Sequence, residues 1–365
     1  MDKRNILSDI SKKGEKQYQS KMRFSDMKLH PQLLKEVEKK GFEKPSEIQE
    51  KAIPEILKGK SVIGVAGTGT GKTAAFLLPI LHKLLTKKQD NYALLLAPTR
   101  ELASQINAEF RSLTKGLGLF STCLIGGTSV HQSIKDLKRT NHIIVGTPGR
   151  VMDMVKQKAL RLSAFNVLVL DEFDRMLDMG FVDEMKSINQ QMSNKQQTFL
   201  FSATIEESQK GLFKEMAGKA SMIKARHTTA STNIIEERME QVNGQNKVDI
   251  VKRLMNEPTK QKTILFCETK RGADKVQKQF KVDNISTDVI HGDKSQKARE
   301  IALRKFRTDK IDMLIATDVV ARGIDVPDVD LVINYELPRN KTDYTHRIGR
   351  TGRAGKKGLA VTLID

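Results

Sequence analysis

The sequence has 365 residues, which is long enough for two domains of roughly 150–200 residues, and its 38% hydrophobic content is enough for two buried cores. Lys and Arg number 63 against 44 Asp and Glu, so the formal net charge is +19 and favours a polyanionic partner, either a nucleic acid or an anionic membrane surface. A charge that serves solubility alone is the alternative at this point.

The sequence disfavours a membrane partner. Its N-terminus has no apolar signal-peptide segment, and the most apolar stretch, residues 74–85, is interrupted by Pro79 and too short to cross a bilayer. Cys123 and Cys267 lack metal-ligand spacing, so we expect reduced core residues. We therefore predict a cytoplasmic protein.

Short apolar runs alternate with helix-length intervals along the whole chain. Each run has four to six residues rich in Val, Ile and Leu, which is typical of parallel strands buried on both faces. The predicted strands are residues 61–66, 92–97, 142–146, 166–170, 198–201, 263–267, 287–290, 312–316, 331–334 and 359–364. The pattern occurs twice, so the predicted fold is α/β with two tandem doubly wound parallel-sheet domains.

The domain boundary is predicted where the periodicity is lost. Residues 225–233 are polar and small and are expected to form a linker. The predicted parts are a basic N-terminal extension at 1–21, a first domain at 22–224 and a second domain at 234–365. The chain ends directly after a predicted strand, which is typical of a trimmed chain, because a doubly wound domain usually covers its last strand with a helix.

A glycine-rich segment joins the first predicted strand to an apolar helix. Three glycines within five residues allow backbone N–H groups to converge on an anion, and the helix N-terminus adds its positive end. Lys72 supplies a charge for the β- and γ-phosphates of a nucleotide, and Thr73 a hydroxyl for Mg²⁺. A turn without a ligand is the alternative, which the Gly-Lys-Thr core disfavours. The predicted phosphate loop is Ala66, Gly67, Thr68, Gly69, Thr70, Gly71, Lys72 and Thr73, with Ala66 where the general pattern has Gly.

A carboxylate for the metal is expected near such a loop. The predicted strand 166–170 runs into Asp171 and Glu172, which places both at the carboxyl edge of the sheet, where ligands bind in this fold. We predict that Asp171 holds the Mg²⁺ water shell and that Glu172 activates the attacking water. The alternative is an acidic helix cap.

The phosphate loop, the acidic tetrapeptide 171–174 and Ser202-Ala203-Thr204 have the order and context found in DEAD-box RNA helicases. Further motifs resemble that family over residues 24–365. The resemblance implies two RecA-like domains, an RNA-stimulated ATPase, ATP and Mg²⁺ as cofactors, RNA as the partner and a monomeric state.

The resemblance also assigns roles to individual residues. The nucleotide contacts outside the phosphate loop are Phe24, Phe42, Gln49, Asp325, Arg350 and Arg353. The RNA contacts are Pro98, Thr99, Arg100, Gly127, Thr147, Pro148, Arg150, His291, Gly292, Gln296, Arg299, Thr317 and Asp318. The residues that link hydrolysis to RNA binding are Ser202, Thr204, Asp174 and Arg347. The catalytic group adds to Lys72, Asp171 and Glu172 the residues His346, Arg350 and Arg353.

The chemistry of these residues agrees with the implied roles. Gln49 offers a donor and an acceptor to the adenine edge and Phe42 a ring for stacking, so ATP would be selected over GTP. Arg350 and Arg353 resemble arginine fingers that cross the cleft to the γ-phosphate, and a guanidinium suits the spread charge of phosphoryl transfer. A solvated basic face is the alternative for these arginines and for Arg347.

RNA is expected to be bound through its backbone. The implied RNA contacts are rich in Thr, Gly and Arg and poor in amides that read bases, so they suit phosphates and 2′-hydroxyls. The chain has no Trp and only 4 Tyr, which disfavours aromatic stacking platforms.

Phe173 stands where the family's name-giving tetrapeptide has Ala. Both carboxylates of the motif remain, so catalysis is not put in doubt. We favour a side chain that points into the first domain's core, because a residue after a buried strand usually continues its packing. A side chain that points toward the interdomain cleft is the alternative.

The predicted function is an ATP-dependent RNA helicase that locally unwinds short duplexes or remodels RNA–protein complexes. An ATP-gated RNA clamp or assembly scaffold with little unwinding is the alternative, because the same motifs serve both. A translocating DNA helicase is a third hypothesis, which a preference for RNA over DNA would exclude.

Overall fold

The computed structural model describes residues 18, 20–67, 69–87, 89–90, 92–225, 235–257, 261–318, 329–338, 341–352 and 357–365. The chain divides into two compact units, and the described residues of the first lie within 18–228 and those of the second within 229–365. Most of the predicted N-terminal extension and linker lies outside the described residues. The proposed domain bounds therefore stay predictions.

The first unit is a parallel sheet covered by helices on both faces. Its strands are β1 Ser61–Val65, β2 Ala93–Leu96, β3 Ser121–Leu124, β4 Ile143–Gly146, β5 Val167–Leu170, β6 Gln197–Ser202 and β7 Ala220–Lys224. Its helices are α1 Pro31–Lys39, α2 Glu47–Leu57, α3 Lys72–Thr86, α4 Arg100–Leu113, α5 Val130–Leu137, α6 Pro148–Lys156, α7 Phe173–Asp178, α8 Val182–Gln191 and α9 Lys210–Ala217. Within the described part of this unit, the strand order is β3-β4-β2-β5-β6-β1-β7.

The second unit repeats the architecture with a smaller sheet. Its strands are β8 Ile235–Gln241, β9 Thr263–Phe266, β10 Thr287–Ile290, β11 Met313–Ala316, β12 Leu331–Asn334 and β13 Gly358–Ile364. Its described helices are α10 Lys247–Met255, α11 Lys270–Val282, α12 Gln296–Arg307 and α13 Lys341–Ile348. The strand order among the described residues is β10-β11-β9-β12-β13-β8, again parallel throughout.

Central strands of both sheets are buried on both faces, as the sequence predicted. Along β5, for example, Val167 and Val169 belong to one apolar core, whereas Leu168 and Leu170 belong to the core on the opposite face. All ten predicted strands are confirmed, and each end lies within one residue of its predicted position. Cys267 is buried and Cys123 is partly buried, and among the described residues neither forms a disulfide.

The prediction missed three strands, β3, β7 and β8, and all three lie at sheet edges. An edge strand pairs on one side only and keeps exposed positions, so its sequence need not be a continuous apolar run. In β8, which reads Ile-Glu-Glu-Arg-Met-Glu-Gln, only the first residue is buried. The criterion used for buried central strands therefore could not detect it.

Strand order divides the carboxyl edge of the first sheet into two halves. The predicted RNA contacts follow the three neighbouring strands β3, β4 and β2, while the acidic motif, Ser202 and the phosphate loop follow or end β5, β6 and β1. Because the carboxyl ends of parallel strands meet at one edge, residues that are far apart in the sequence become neighbours there. The fold thus places the predicted RNA contacts on one half of this edge and the predicted nucleotide site on the neighbouring half.

Phe173 points into the core of the first unit. Its side chain is fully buried, and its ring packs edge-on against Phe213 of α9 with 4.7 Å between the ring centroids. The core interpretation is confirmed. The ring joins the first turn of α7 to α9 on the same face of the sheet.

Phe173→Ala is expected to lower the free energy of unfolding by about 3–5 kcal/mol, because removing a buried ring leaves a cavity. Chemical denaturation of the full chain measures this loss. Phe120→Ala is the matched control, since the Phe120 side chain is 56% exposed and its removal opens no cavity. A change in Phe173→Ala as small as that of the control would contradict the packing argument.

Candidate active site and RNA-contact residues

The lysine of the phosphate loop bonds to backbone carbonyls of the same loop. Lys72 begins α3 and is 8% exposed, and its Nζ donates to the carbonyl oxygens of Ala66 at 2.7 Å and Gly67 at 3.3 Å. Gly71 has φ +85°, and a Cβ there would collide with the Gln49 amide, so glycine is needed at this position on both counts. The loop holds a buried cation at a helix N-terminus, which is the arrangement that binds phosphate.

The N-terminus of α2 is hydrogen-bonded to this loop. Gln49 Nε2 donates to the Gly71 carbonyl at 3.0 Å, and Ser46 Oγ donates to the Thr70 carbonyl at 2.7 Å. Gln49 Oε1 accepts from the Ser46 backbone N–H at 2.9 Å. Both ends of the Gln49 amide therefore bond to protein here, and its adenine contact stays a prediction.

Two aromatic rings lie beside one another near this helix. Phe24 is buried, whereas Phe42 is 39% exposed, and their ring centroids are 6.4 Å apart. Phe42 thus has a supported ring with an exposed part, which suits stacking on a planar base.

The acidic motif follows β5 at the carboxyl edge. Asp171 is 3% exposed, and its Oδ1 accepts from the Glu172 backbone N–H at 3.0 Å. Glu172 has φ +51° and ψ +53°, a left-handed conformation that costs a non-glycine residue on the order of 1 kcal/mol or more and that clusters at functional sites. Arg175 lies one turn further along α7, and its Nη1 is 3.3 Å from Glu172 Oε2.

Asp174 connects the acidic motif to the end of β6. Its Oδ2 accepts from the backbone N–H groups of Ala203 and Thr204, both at 3.0 Å, and from Thr204 Oγ1 at 3.1 Å. The Asp174 backbone N–H donates to Ser202 Oγ at 3.3 Å, and that hydroxyl donates to the Thr204 carbonyl at 2.7 Å. A carboxylate with three donors on one oxygen is firmly held, so movement of either segment must displace the other.

Helix N-termini carry most of the predicted RNA contacts of the first unit. Thr99 caps α4 by accepting from the Leu102 N–H at 3.3 Å, and Thr147 is the N-cap of α6 with Pro148 as its first residue. Helix N-termini favour phosphate oxygens through their unpaired N–H groups, although Pro148 itself has no N–H and the Leu102 N–H is bonded to Thr99.

The loop after β3 is held by Arg150 and lies beside Arg100. Arg150 donates to the carbonyls of Ile125 at 3.1 Å and Thr128 at 2.6 Å, and the Arg100 guanidinium lies 3.0 Å from where a Cβ on Gly126 would be. Gly127 has φ +79°, which a side chain would strain. These three predicted contacts, Arg100, Gly127 and Arg150, therefore lie close together around this loop.

In the second unit, Arg347 makes a bidentate ion pair with Asp318. Its Nε and Nη2 lie 2.6 and 2.7 Å from the two Asp318 oxygens, and its Nη1 donates to Asn334 Oδ1 at 3.0 Å. The guanidinium carbon is 5.2 Å from the centre of the Phe266 ring, and Arg347 is 1% exposed. The pair joins α13 to the segment after β11, where Thr317 also lies.

Arg350 and His346 are buried as well, and Arg350 Nε donates to the His346 carbonyl at 3.2 Å. The alternative of a solvated basic face is therefore wrong for Arg347 and Arg350. Thr68, Asp325 and Arg353 lie outside the described residues, so their predicted roles stay predictions.

The remaining predicted RNA contacts follow β10 and begin α12. His291 is buried, with Nε2 3.1 Å from Asp274 Oδ2 and Nδ1 accepting from the Asp293 N–H at 3.3 Å. Gln296 and Arg299 are buried in the first turn of α12, and Gln296 Nε2 donates to Glu300 Oε1 at 3.1 Å.

Comparison with known proteins agrees with this geometry. The family model described as DEAD/DEAH box helicase matches residues 46–212, and the one described as helicase conserved C-terminal domain matches residues 246–355. A DEAD box protein from Methanococcus jannaschii of known structure is 38% identical, with a TM-score of 0.55, over 96% of this chain and 94% of that chain. The chain belongs to the DEAD-box helicase family.

Other relatives of this DEAD-box chain carry functional names. The ATP-dependent RNA helicase CshA of Listeria monocytogenes is 40% identical over 94% of this chain and 66% of its own length, and the CshA of Streptococcus pneumoniae is 42% identical with the same coverage. S. cerevisiae Dbp5, solved bound to RNA and ADP BeF3, has a TM-score of 0.84 and 32% identity over 94% of this chain and 89% of that chain. The chain spans slightly less than two thirds of the curated relatives it matches.

The two α/β units of this DEAD-box chain match those structures, so the predicted fold class is confirmed. Among the described residues, no helix combines the length and apolar character that a membrane crossing requires.

Two residues of the DEAD-box site were missed by the sequence analysis. Arg175 forms the buried ion pair with Glu172, and its signal was a basic residue one helical turn after the predicted base. Ser46 donates to the phosphate loop, and its signal was the capping-box spacing with Gln49 three residues later.

The residues at the acidic motif of this DEAD-box chain fit Mg²⁺. Burial raises the pKa of Asp171 to about 7, the charge of Lys72 acts in the opposite direction, and Glu172 adds to the increase. Because the charge of Lys72 offsets only part of the effect of burial, the ionised form of Asp171 would be stabilised by a further cation beside it. Oxygen donors such as those of Asp171 and Thr73 are the ligands that Mg²⁺ prefers. No group of three or more His, Cys, Asp or Glu in the described part of the chain could hold a metal. Protein sites for Mg²⁺ commonly supply only one or two carboxylates, and water molecules and substrate phosphates complete the ligand set.

Asp171→Asn is expected to stabilise the nucleotide-free protein at neutral pH while stopping Mg²⁺-dependent hydrolysis. Because the pKa of Asp171 is raised to about 7 in the folded state, the unfolded state binds fewer protons between about pH 4 and 7, and stability falls as pH rises through that window. Removing the charge should therefore raise the free energy of unfolding above pH 7 by up to a few kcal/mol, and by less near pH 5. Thermal melting of the variant and of the wild type at about pH 5 and about pH 8 measures this difference in stability. A variant that melts below the wild type at about pH 8 would contradict the argument.

Proposed function

We propose that this chain is an RNA-stimulated ATPase that uses ATP binding and hydrolysis to separate short RNA duplexes or remodel RNA–protein complexes. The observation that carries the proposal is the hydrogen-bond network from Asp174 to Ala203 and Thr204. It joins the segment that bears the predicted base to the end of β6, on the sheet edge that also bears the predicted RNA contacts. The names of the CshA relatives and the RNA bound to Dbp5 support the proposal.

In this proposal the first unit binds the nucleotide. Lys72 leaves the Ala66 and Gly67 carbonyls to bind the β- and γ-phosphates, and Asp171 and Thr73 are the residues that would hold Mg²⁺. The bound Mg²⁺ would neutralise charge that develops on the phosphates. Glu172 takes a proton from the attacking water, and the strained backbone and Arg175 fix the direction of its carboxylate.

RNA and ATP would act together through closure of the two units. We propose that ATP and RNA each bind the closed arrangement better than the open one, with Arg350 and Arg353 reaching the γ-phosphate, so that closure expels one strand and phosphate release reopens the cleft. A cytoplasmic location and a monomeric state stay predictions from the sequence.

The test compares ATPase rates of the full chain without nucleic acid, with single-stranded RNA and with DNA of the same sequence. RNA should stimulate hydrolysis, and DNA should do so far less. Equal stimulation would favour a translocating DNA helicase. A strand-displacement assay on a short duplex then separates unwinding from an ATP-gated RNA clamp, which would bind the duplex without displacing a strand.

RNA affinity is expected to fall steeply with salt and to change little when the sequence is scrambled. Phosphate contacts release counterions, so the logarithm of affinity should fall linearly with the logarithm of salt concentration. Fluorescence anisotropy with single strands of equal length measures both dependences. A preference above about tenfold, or ~1.4 kcal/mol, for one scrambled strand would contradict backbone recognition.

A further inference from the structure

The outer face of α11 carries a row of exposed basic side chains, which we call the α11 basic stripe: Arg271, Lys275, Lys278 and Lys281. The opposite face of the helix is fixed in the core through Ala273, Val276 and Phe280. Spacings of three and four residues bring the four basic side chains to one side of the helix. Their direction toward solvent is thus set by the core contacts of α11.

The four basic side chains of the stripe have no ion pair or side-chain hydrogen bond among the described residues, because the nearby acidic side chains bond to other residues. Asp274, on α11 itself, binds Lys294 at 2.9 Å and His291 at 3.1 Å. Asp283, just beyond the helix, binds Lys252 of α10 at 2.6 Å. The positive charge of the stripe is therefore not neutralised by neighbouring side chains, which creates a local positive potential.

The stripe begins beside predicted RNA contacts and leads away from them. Lys270, the first residue of α11, binds Asp293 at 2.6 Å, and its Cε lies 3.5 Å from where a Cβ on Gly292 would be. Because β9 and β10 are both parallel to β11, α11 runs from the carboxyl edge of the sheet back toward its amino edge. From Arg271 to Lys281 the stripe extends for about 15 Å at 1.5 Å per residue.

We propose that the α11 basic stripe binds the phosphates of RNA that flanks the segment held by the predicted contacts. The inference rests on the proposed function and deepens it, since it gives the second unit a further RNA surface. Lysine side chains act as flexible point charges that attract phosphate without reading bases. The stripe consists mainly of lysines and is several nucleotides long. Its positive charge is not neutralised by neighbouring acidic side chains and therefore complements the phosphates of RNA.

The test replaces three lysines of the stripe by glutamine, Lys275→Gln, Lys278→Gln and Lys281→Gln, in the full chain. Arg271 is left intact because it adjoins the predicted contacts. The matched control carries Lys35→Gln, Lys214→Gln and Lys219→Gln, three exposed lysines of the first unit with the same total charge change. RNA affinity is measured from low to high salt with a single strand of about 8 nucleotides and with one of about 30. Thermal melting confirms that both variants fold.

For the long RNA, the stripe variant should show a salt slope shallower by about 2, since each phosphate contact with a single strand contributes about 0.7. Between about 50 and 200 mM salt, the wild type should then lose roughly fifteenfold more affinity than the variant. The control and the wild type should have equal slopes, and all three proteins should bind the short RNA equally.

Equal slopes for the stripe variant and the wild type on long RNA would overturn the proposal and leave the stripe a solvated face. Equal slopes combined with weaker binding of the stripe variant to polyglutamate would assign the stripe to an acidic protein instead. Weaker binding of the short RNA by the stripe variant would also overturn it, because the stripe would then belong to the main contact site. Failure of the wild type to bind the short RNA would contradict the proposed function, which is a separate outcome.

Discussion

Glu172→Gln is expected to stop ATP turnover while ATP and RNA remain bound. The amide has nearly the same shape as the carboxylate but cannot accept a proton from water, and general-base catalysis typically contributes about 10²–10⁴-fold. Glu172 suits this role because it lies at the carboxyl edge beside Asp171 and is largely buried. Single-turnover hydrolysis and equilibrium binding of labelled ATP and RNA measure the two effects separately.

The structure adds a reason to choose glutamine over alanine at this position. Arg175 is 2% exposed and pairs with Glu172 Oε2, so deleting the side chain would remove the carboxylate from a buried cation. In the Glu172→Gln variant, the amide oxygen replaces a carboxylate oxygen as the acceptor for Arg175, so the fold should be retained. Asp183→Asn, an exposed acid on α8, is the control and should hydrolyse ATP normally. Hydrolysis by Glu172→Gln at the wild-type rate would show that the base has been assigned wrongly.

Lys72→Ala is expected to weaken ATP binding by at least about a hundredfold, or ~2.7 kcal/mol, and to remove hydrolysis with it. The Nζ is the cation of the phosphate loop, and charge-assisted bonds to phosphate are among the stronger hydrogen bonds in proteins. In the present loop this ammonium bonds to two backbone carbonyls, so binding would exchange those partners for phosphate oxygens.

Titration with labelled ATP measures the loss of binding in Lys72→Ala. Lys83→Ala is the matched control, because Lys83 lies on the same helix but its side chain faces solvent. If Lys72→Ala binds ATP as tightly as this control does, another cation must hold the phosphates.

Buried ion pairs show where sequence reasoning reached its limit. The three-residue recurrence of Arg347, Arg350 and Arg353 marked them as a group, but not which would be buried or paired. Arg347 bonds to Asp318, 29 positions away in the sequence. A partner that distant is fixed by the order of strands and the packing of α13, which no local pattern encodes.

The sequence by itself determined the parallel central strands, the phosphate loop and the acidic motif, because each depends on local chemistry. Runs of apolar residues are required wherever a strand is buried on both faces, and glycines are required wherever a backbone approaches a phosphate. The family resemblance, too, followed from motifs that can be read in order along the chain. These features need no knowledge of distant contacts.

Only the tertiary structure decided the edge strands β3, β7 and β8, the inward direction of Phe173 and the attachment of Gln49 and Ser46 to the phosphate loop. Each depends on what lies across the sheet or beside the helix: Phe173 meets Phe213 forty positions later, and Asp174 meets Thr204 after thirty. Such contacts arise when parallel strands bring their carboxyl ends together. Exposed polar positions interrupt the apolar run of an edge strand, and pairing with a remote side chain leaves no local signal in the sequence.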